Sequence, residues 1–291
     1  MTQQFEALHQ VPNSTLEKAG SLIIKTAYLS GLIAPETAAC LSELLKGVDS
    51  AYSSMIDGHT GERDVDEHAL LLTTQQEIFG EVTELRRRVI AVLSHQHHLL
   101  QTTPSHEGGG ARARMLTYHH FAELGLLPHL WSLSRGLSRR RVEYQSLICK
   151  NDPTQGTVLE GGRQLKGDDA LVFIEFMLGV CHEEVDYMTT AFSRRRLHEQ
   201  VLQSFKTSQR IARSGISPKV APAVLALLIQ GALPETEFKI FSGVRLDEVS
   251  DETSNLRSLG LMDFSSHDTG WIETRLPAWF ANEILPGLLD Q

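Results

Sequence analysis

The sequence predicts a mainly helical protein with a small α+β module at its C-terminal end. Apolar residues recur at three- and four-residue spacing through most of the first 200 positions, the pattern of helices that bury one face. After a polar stretch at 203–217, three shorter helical segments follow, over 218–231, near 235–241 and over 245–259, with a turn at Pro234. Two short strand-like runs within 262–276 then meet at Asp268-Thr269-Gly270, a sequence suited to a tight reversal. A length of 291 residues suggests about two domains. With 41% hydrophobic and 22% charged residues, the composition is that of a globular chain with a sizeable core.

Charge and cysteine usage narrow the function classes. A net charge of −9 argues against general nucleic-acid affinity and against an anionic membrane surface. Cys40, Cys149 and Cys181 are odd in number, far apart and outside any C-x-x-C, as expected of buried thiols in a reducing compartment. No apolar run is long enough to span a bilayer, and the start MTQQFEALHQ lacks a basic region followed by an apolar one. A cytoplasmic location without membrane contact is the expectation.

Along the chain, Leu16, Ala19, Leu22, Ile23 and Ala27 share one stripe, and Ser14 with Glu17 has capping-box spacing. Pro35 suits the first turn of the next helix. Helical segments follow over 65–73 and 75–100, then 115–127, then a strongly apolar helix pair within 170–190. Arg86-Arg87-Arg88 and Arg194-Arg195-Arg196 read as solvated helix faces, and Trp131 as a core anchor. His95, His97, His98 and His106 do not form a metal site by spacing, because adjacent histidines on a helix point apart.

The stretch from Thr103 to Arg114 carries the chemistry. A Pro turn, an acid at Glu107 and three glycines (Gly108, Gly109, Gly110) precede a helical pattern, with Arg112 and Arg114 two residues apart. Glycines before a helix N-terminus leave backbone N–H groups free to face an anion, and the helix dipole adds to the attraction. Arg114 can reach phosphate oxygens, and Glu107 can hold Mg²⁺. A flexible glycine loop with solvated charges is the plainer alternative.

This stretch resembles the active-site loop of the Fic family, protein nucleotidyltransferases with the motif H-P-F-x-[D/E]-G-N-G-R-x-x-R. Pro104, Glu107, Gly108, Gly110 and Arg114 match it. Thr103 stands at the catalytic His, Ser105 at the Phe, Gly109 at the Asn and Ala111 at the first Arg. The flanks resemble the family as well: LEKAGSLIIKTAYLSGLIAPET near the start, RRVIAVLSHQHHLLQTTP before the loop, and LWSLSRGLSRRRVEYQ after it, carried by Trp131, Ser134, Arg135, Gly136 and Leu137. Ser53, Asp57 and Gly58 resemble the inhibitory helix pattern [S/T]-x-x-x-E-[G/N], with Asp in place of Glu. In the family that acid pairs with the last loop arginine, which here is Arg114. The reading of Asp57 as an ordinary helix-terminal residue stays open beside it. The interval between Asp57 and Thr103 is shorter than in the relatives and lacks the strand-turn-strand pattern of the flap that docks a target segment.

The resemblance implies a helical Fic-type core with a small C-terminal winged helix, divided as 1–60 (inhibitory region), 61–203 (core) and 204–291 (winged helix). It implies AMP transfer from ATP with Mg²⁺ to a protein hydroxyl, with the loop His as general base. Thr103 cannot accept a proton near neutral pH, and losing a general base costs about 10²–10⁴ in rate. The expectation is a regulatory or interaction pseudoenzyme with a protein partner that keeps nucleotide or phosphate binding; a homo-oligomer is compatible with the sequence. One alternative is an active transferase using His106 as replacement base. Another is a DNA-binding regulator, against which the acids of 215–291 outnumber the bases.

Overall fold

The structure, a computed structural model, describes residues 11–57, 82–103, 109–148, 165–243, 249–266 and 269–289. It is mainly helical with one small antiparallel sheet. The chain forms two compact units, one of residues up to 27 with 49–186, the other of 28–48 with 187–291. These divisions differ from those expected at 60 and 203. Local bonding accounts for residues 28–48 joining the second unit: Thr37 Oγ1 donates to the Leu228 carbonyl at 2.8 Å.

The first unit takes helices α1 (Asn13–Leu32) and α2 (Pro35–Asp57) in part, then α3 (Leu85–Thr102), α4 (Gly109–Glu123), α5 (Leu133–Arg139), α6 (Arg141–Ile148) and most of α7 (Leu165–Ala191). Leu16, Ala19 and Leu22 of α1 are buried as their spacing predicts. Ala27 is exposed, and the stripe continues through Thr26 and Leu29, which keep the 3.6-residue period better. The helix begins at Asn13, so Ser14 lies inside its first turn rather than at a cap. Val89, Ile90 and Leu93 of α3 and Leu116 and Phe121 of α4 fill the core. Trp131 is fully buried, and its indole N–H donates to the Leu126 carbonyl at 2.9 Å.

Two helical expectations change. The pattern at 115–127 begins six residues earlier, so Gly109 and Gly110 are helical rather than loop. The predicted helix pair within 170–190 is one helix, because Phe173, Met177, Val180 and Cys181 keep one buried register through Gly179.

A polar box fastens α5. The hydroxyl of Ser132, its N-cap, accepts the Arg135 N–H at 3.0 Å and donates to Asp49 Oδ1 at 2.6 Å. Asp49 also accepts the Ser134 N–H at 3.3 Å. Arg135 is buried against Glu184 of α7, the two bonded Nη1 to Oε2. Asp49 lies on α2 two turns before Asp57, so this box also anchors the end of α2 that reaches the site described below.

Burial pushes the Asp49 carboxyl up to about 6, against the bonds from Ser132 and Ser134 that lower it. A raised acid stabilises the fold fully below its unfolded value near 4 and loses that contribution as pH rises through 6. Asn keeps an Oδ1 acceptor for both bonds and carries no charge. Asp49→Asn should therefore gain about 1–2 kcal/mol at pH 7.5 and nothing at pH 4. Urea unfolding at the two pH values checks this, and an equal effect at both would remove the burial argument.

The second unit contains the remainder of α1, α2 and α7, then α8 (Arg194–Thr207), α9 (Gln209–Arg213), α10 (Ala221–Gln230), β1 (Ala232–Pro234), α11 (Glu235–Ser242), α12 (Val249–Ser258), β2 (Met262–Phe264), β3 (Trp271–Thr274) and α13 (Ala278–Ile284). The polar stretch at 203–217 is partly helical, because Phe205 and Ile211 bury an apolar face that its composition hides. The sheet order is β1-β3-β2, with Leu233 and Phe264 both opposite Ile272. Leu233, Met262, Ile272 and Thr274 point into a core with Val224, Leu227, Phe238 and Phe280. Of the two described cysteines, Cys181 is buried and Cys40 only partly so. Among the described residues, no helix is long and apolar enough to cross a membrane.

Candidate functional site

Helix α4 starts directly against the end of α3. Thr103 caps α3 in extended conformation, its N–H bonded to the Leu99 carbonyl at 2.9 Å. A Cβ on Gly109 would lie 2.9 Å from Thr103 Cγ2 and 3.0 Å from the Thr103 carbonyl oxygen. The glycine at 109 is thus a packing requirement, since backbone cannot yield as a flexible side chain can. Thr103, at the position of the motif's histidine, lies against the first turn of α4.

One turn further along α4, Arg114 is 3% exposed and gripped by the end of α2. Its Nη2 donates to Asp57 Oδ2 at 2.8 Å, to the Ser53 carbonyl at 3.1 Å and to Ser53 Oγ at 2.7 Å, while Nε reaches Ser53 Oγ at 3.1 Å. Asp57 and Arg114 thus pair directly, the contact that the resemblance of their two motifs implies. A guanidinium on the last carbonyls of a helix also meets the negative end of its dipole. Gly110 makes the approach possible, because a Cβ there would lie 2.9 Å from Asp57 Oδ1 and 3.2 Å from Arg114 Nη1.

Two residues that the sequence analysis did not single out complete this constellation. Tyr144 of α6 is fully buried, and its hydroxyl faces Arg114, Gln96 and the Asp57 carboxylate. Burial raises its phenol, and Arg114 pulls it back down. Gln96 of α3 is 1% exposed. Its position was a readable signal: it continues the buried Val89-Val92-Leu93 register, where a polar residue needs a partner. Gln145 Nε2 of α6 also donates to the Ile56 carbonyl at 3.3 Å, holding the last turn of α2.

The other candidates divide sharply. Arg112 is exposed and Ala111 partly so. Gly58, Pro104, Ser105, His106, Glu107 and Gly108 lie outside the described residues. Among the described residues, no group of three His, Cys, Asp or Glu side chains is placed to hold a metal. His97 packs its ring 5.0 Å from Phe173, and His95 is pushed down to about 4 by burial beside His120 and His98.

In the C-terminal module the described bases are largely engaged. Arg257 binds Asp263 at 2.9 Å and lies over the Phe264 ring, Lys239 binds Glu235 at 2.8 Å, and Arg275 binds Glu273 at 3.4 Å. Asp251 and Arg257 of α12 are both exposed. Such a surface offers phosphate little free positive charge.

The arrangement can hold an anion at Arg114 only after Asp57 has moved, since both would need the same donors. No family model matches the sequence, and no curated protein matches it either.

Proposed function

We propose that the chain is a Fic-type pseudoenzyme, a regulatory or interaction protein whose surviving chemistry is an anion-binding arginine held shut by its own carboxylate. The carrying observation is the grip of Ser53 and Asp57 on Arg114 at 2.7–3.1 Å, between segments 61 and 57 residues apart in sequence. The matched motif positions name the same residues for the same pairing. Thr103 in place of a base, and Ala111 in place of a phosphate clamp, argue against efficient group transfer. The sheet order and the three helices α10, α11 and α12 support a winged-helix reading of the C-terminal module. Its engaged bases favour protein contact over DNA, so the full chain should not shift duplex DNA at physiological salt.

The test is calorimetric titration of inorganic phosphate and of Mg-ATP. Asp57→Ala should bind at least about tenfold more tightly than the unmutated chain, and Arg114→Ala in the same background should lose that gain. Mass spectrometry after incubation with ATP and Mg²⁺ should find no AMP adduct in either protein. Equal binding by all variants would remove the shut-arginine reading. An adduct that disappears in His106→Ala would make His106 the base and the protein an enzyme.

A further inference from the structure

We propose that Tyr144, with Gln96 beside it, is a second holder of Arg114, taking over the guanidinium when Asp57 lets go. This rests on the reading that Asp57 occupies an anion's place, and it concerns how the site opens. The inference starts from an asymmetry in burial: Asp57 is 30% exposed and sits at the last residue of its helix, whereas Arg114 is 3% exposed in the first turns of α4. The carboxylate has room to leave. The guanidinium has none, and an unaccompanied buried cation is among the costliest groups a fold can carry. Opening therefore needs a replacement partner already in place.

The polar atoms on the inner side of Arg114 answer that need. The bonds that Arg114 makes to Ser53 and Asp57 leave from Nε and Nη2 toward α2. Its Nη1 is buried and has no well-formed hydrogen bond among the described residues, and the same holds for both amide atoms of Gln96 and for the Tyr144 hydroxyl, which nonetheless lies close enough to interact with Arg114 and Gln96. Four buried polar atoms without a well-formed bond are unusual in one cluster, since such atoms are almost always paired. They are neighbours: the Tyr144 hydroxyl faces both Arg114 and Gln96. Gly110 leaves the space beside Nη1 open, a Cβ there meeting that atom at 3.2 Å. A small rotation of the guanidinium gives the phenol oxygen an N–H to accept, and Tyr144 can then donate to Gln96 Oε1. In the present state Asp57 and Ser53 hold Nε and Nη2, and the inner set lies beside the guanidinium without a well-formed bond to it. With Asp57 withdrawn, the inner set keeps the arginine buried and aimed, so that it meets an incoming anion without rebuilding its own position.

The experiment is a double-mutant cycle in urea and thermal unfolding of the full chain, with Asp57→Ala, Tyr144→Phe and the pair. Tyr144→Phe removes one oxygen that makes no good bond in the shut state, so alone it should move Tm by no more than about 2 °C. The double variant should fall well below the sum of the single shifts, because Arg114 then keeps only its bonds to Ser53 and has no carboxylate or phenol beside it. Gln96→Leu in place of Tyr144→Phe should show the same sign of coupling more weakly. A second readout separates this from ordinary packing: in protein labelled with ¹³Cζ-tyrosine, the Tyr144 resonance should shift in Asp57→Ala and lose that shift when Arg114→Lys is added. Additive unfolding shifts, or a Tyr144 resonance indifferent to Asp57, would overturn the proposal. Neither readout uses a ligand. Coupling without any phosphate binding by Asp57→Ala would keep Tyr144 as holder and overturn the anion site instead.

Discussion

Arg135→Ala is expected to cost the fold about 3–5 kcal/mol, enough to leave little native protein at 37 °C. Arg135 is 1% exposed and Glu184 is 3% exposed, so truncating the arginine leaves a carboxylate buried without its cation. Glu184 is already pushed up to about 6 by burial, which outweighs the opposing pull of Arg135 and of Arg139. With Arg135 gone it must protonate or draw in water, and Asp49 nearby adds like charge. The raised carboxyl sets the sign of the pH dependence. The loss should be largest above pH 6, where Glu184 is ionised, and should shrink as pH falls toward 4. Replacing both partners together, as Arg135→Met with Glu184→Leu, should recover most of the stability, because the desolvation cost of both charges goes with the pair. Urea unfolding at pH 5 and pH 7.5 measures each variant. A loss under 1 kcal/mol at pH 7.5 would mean that Glu184 reaches solvent when Arg135 is absent.

Much of the first unit's helical content was legible in the sequence because apolar period and burial agree there, as in Leu16-Ala19-Leu22 and Val89-Leu93. The Asp57–Arg114 pairing was legible for a different reason. Apolar spacing carries no information about a contact between positions 57 and 114, and the resemblance of two short motifs supplied it. The partners on the inner side of Arg114 escaped notice because Tyr144 reads as one more core aromatic and Gln96 as one polar residue in a histidine-rich run. Neither shows its role until α3, α4 and α6 are brought together. The early start of α4 was hidden by propensity, since three glycines in a row argue for loop. Tertiary packing of Gly109 against Thr103 and of Gly110 against Asp57 overrides that preference. The start of α9 was hidden likewise, its one buried face resting on Ile211 amid polar neighbours.

Gly136→Ala is the second large effect expected, and its sign is opposite to that of the same change at Gly47. Both glycines lie within helices, where alanine is intrinsically better by about 1 kcal/mol. At Gly47 of α2 an added Cβ would meet nothing within 4 Å, so the intrinsic gain should appear nearly whole as about 0.5–1 kcal/mol of added stability. At Gly136 of α5 the Cβ would lie 2.6 Å from Val180 Cγ1 and 2.7 Å from Glu184 Cγ. Neither neighbour can step aside cheaply. Val180 is fully buried and β-branched, with its χ1 fixed by its own helix, and Glu184 is tied to Arg135. The clash must be relieved by moving α5 off α7, which loosens the packing of Leu137 and stretches the Arg135–Glu184 bond. That overpacking should outweigh the propensity gain and leave Gly136→Ala less stable by about 1–3 kcal/mol. Adding Val180→Ala removes the nearer obstacle and should return part of the loss, although the Glu184 contact remains. Thermal unfolding of the two single glycine variants and of the Gly136→Ala, Val180→Ala pair checks the whole argument. If Gly136→Ala proves as benign as Gly47→Ala, α5 and α7 do not pack as closely as the structure has them, and the anchoring of α2 through Ser132 and Asp49 loses its rigid base.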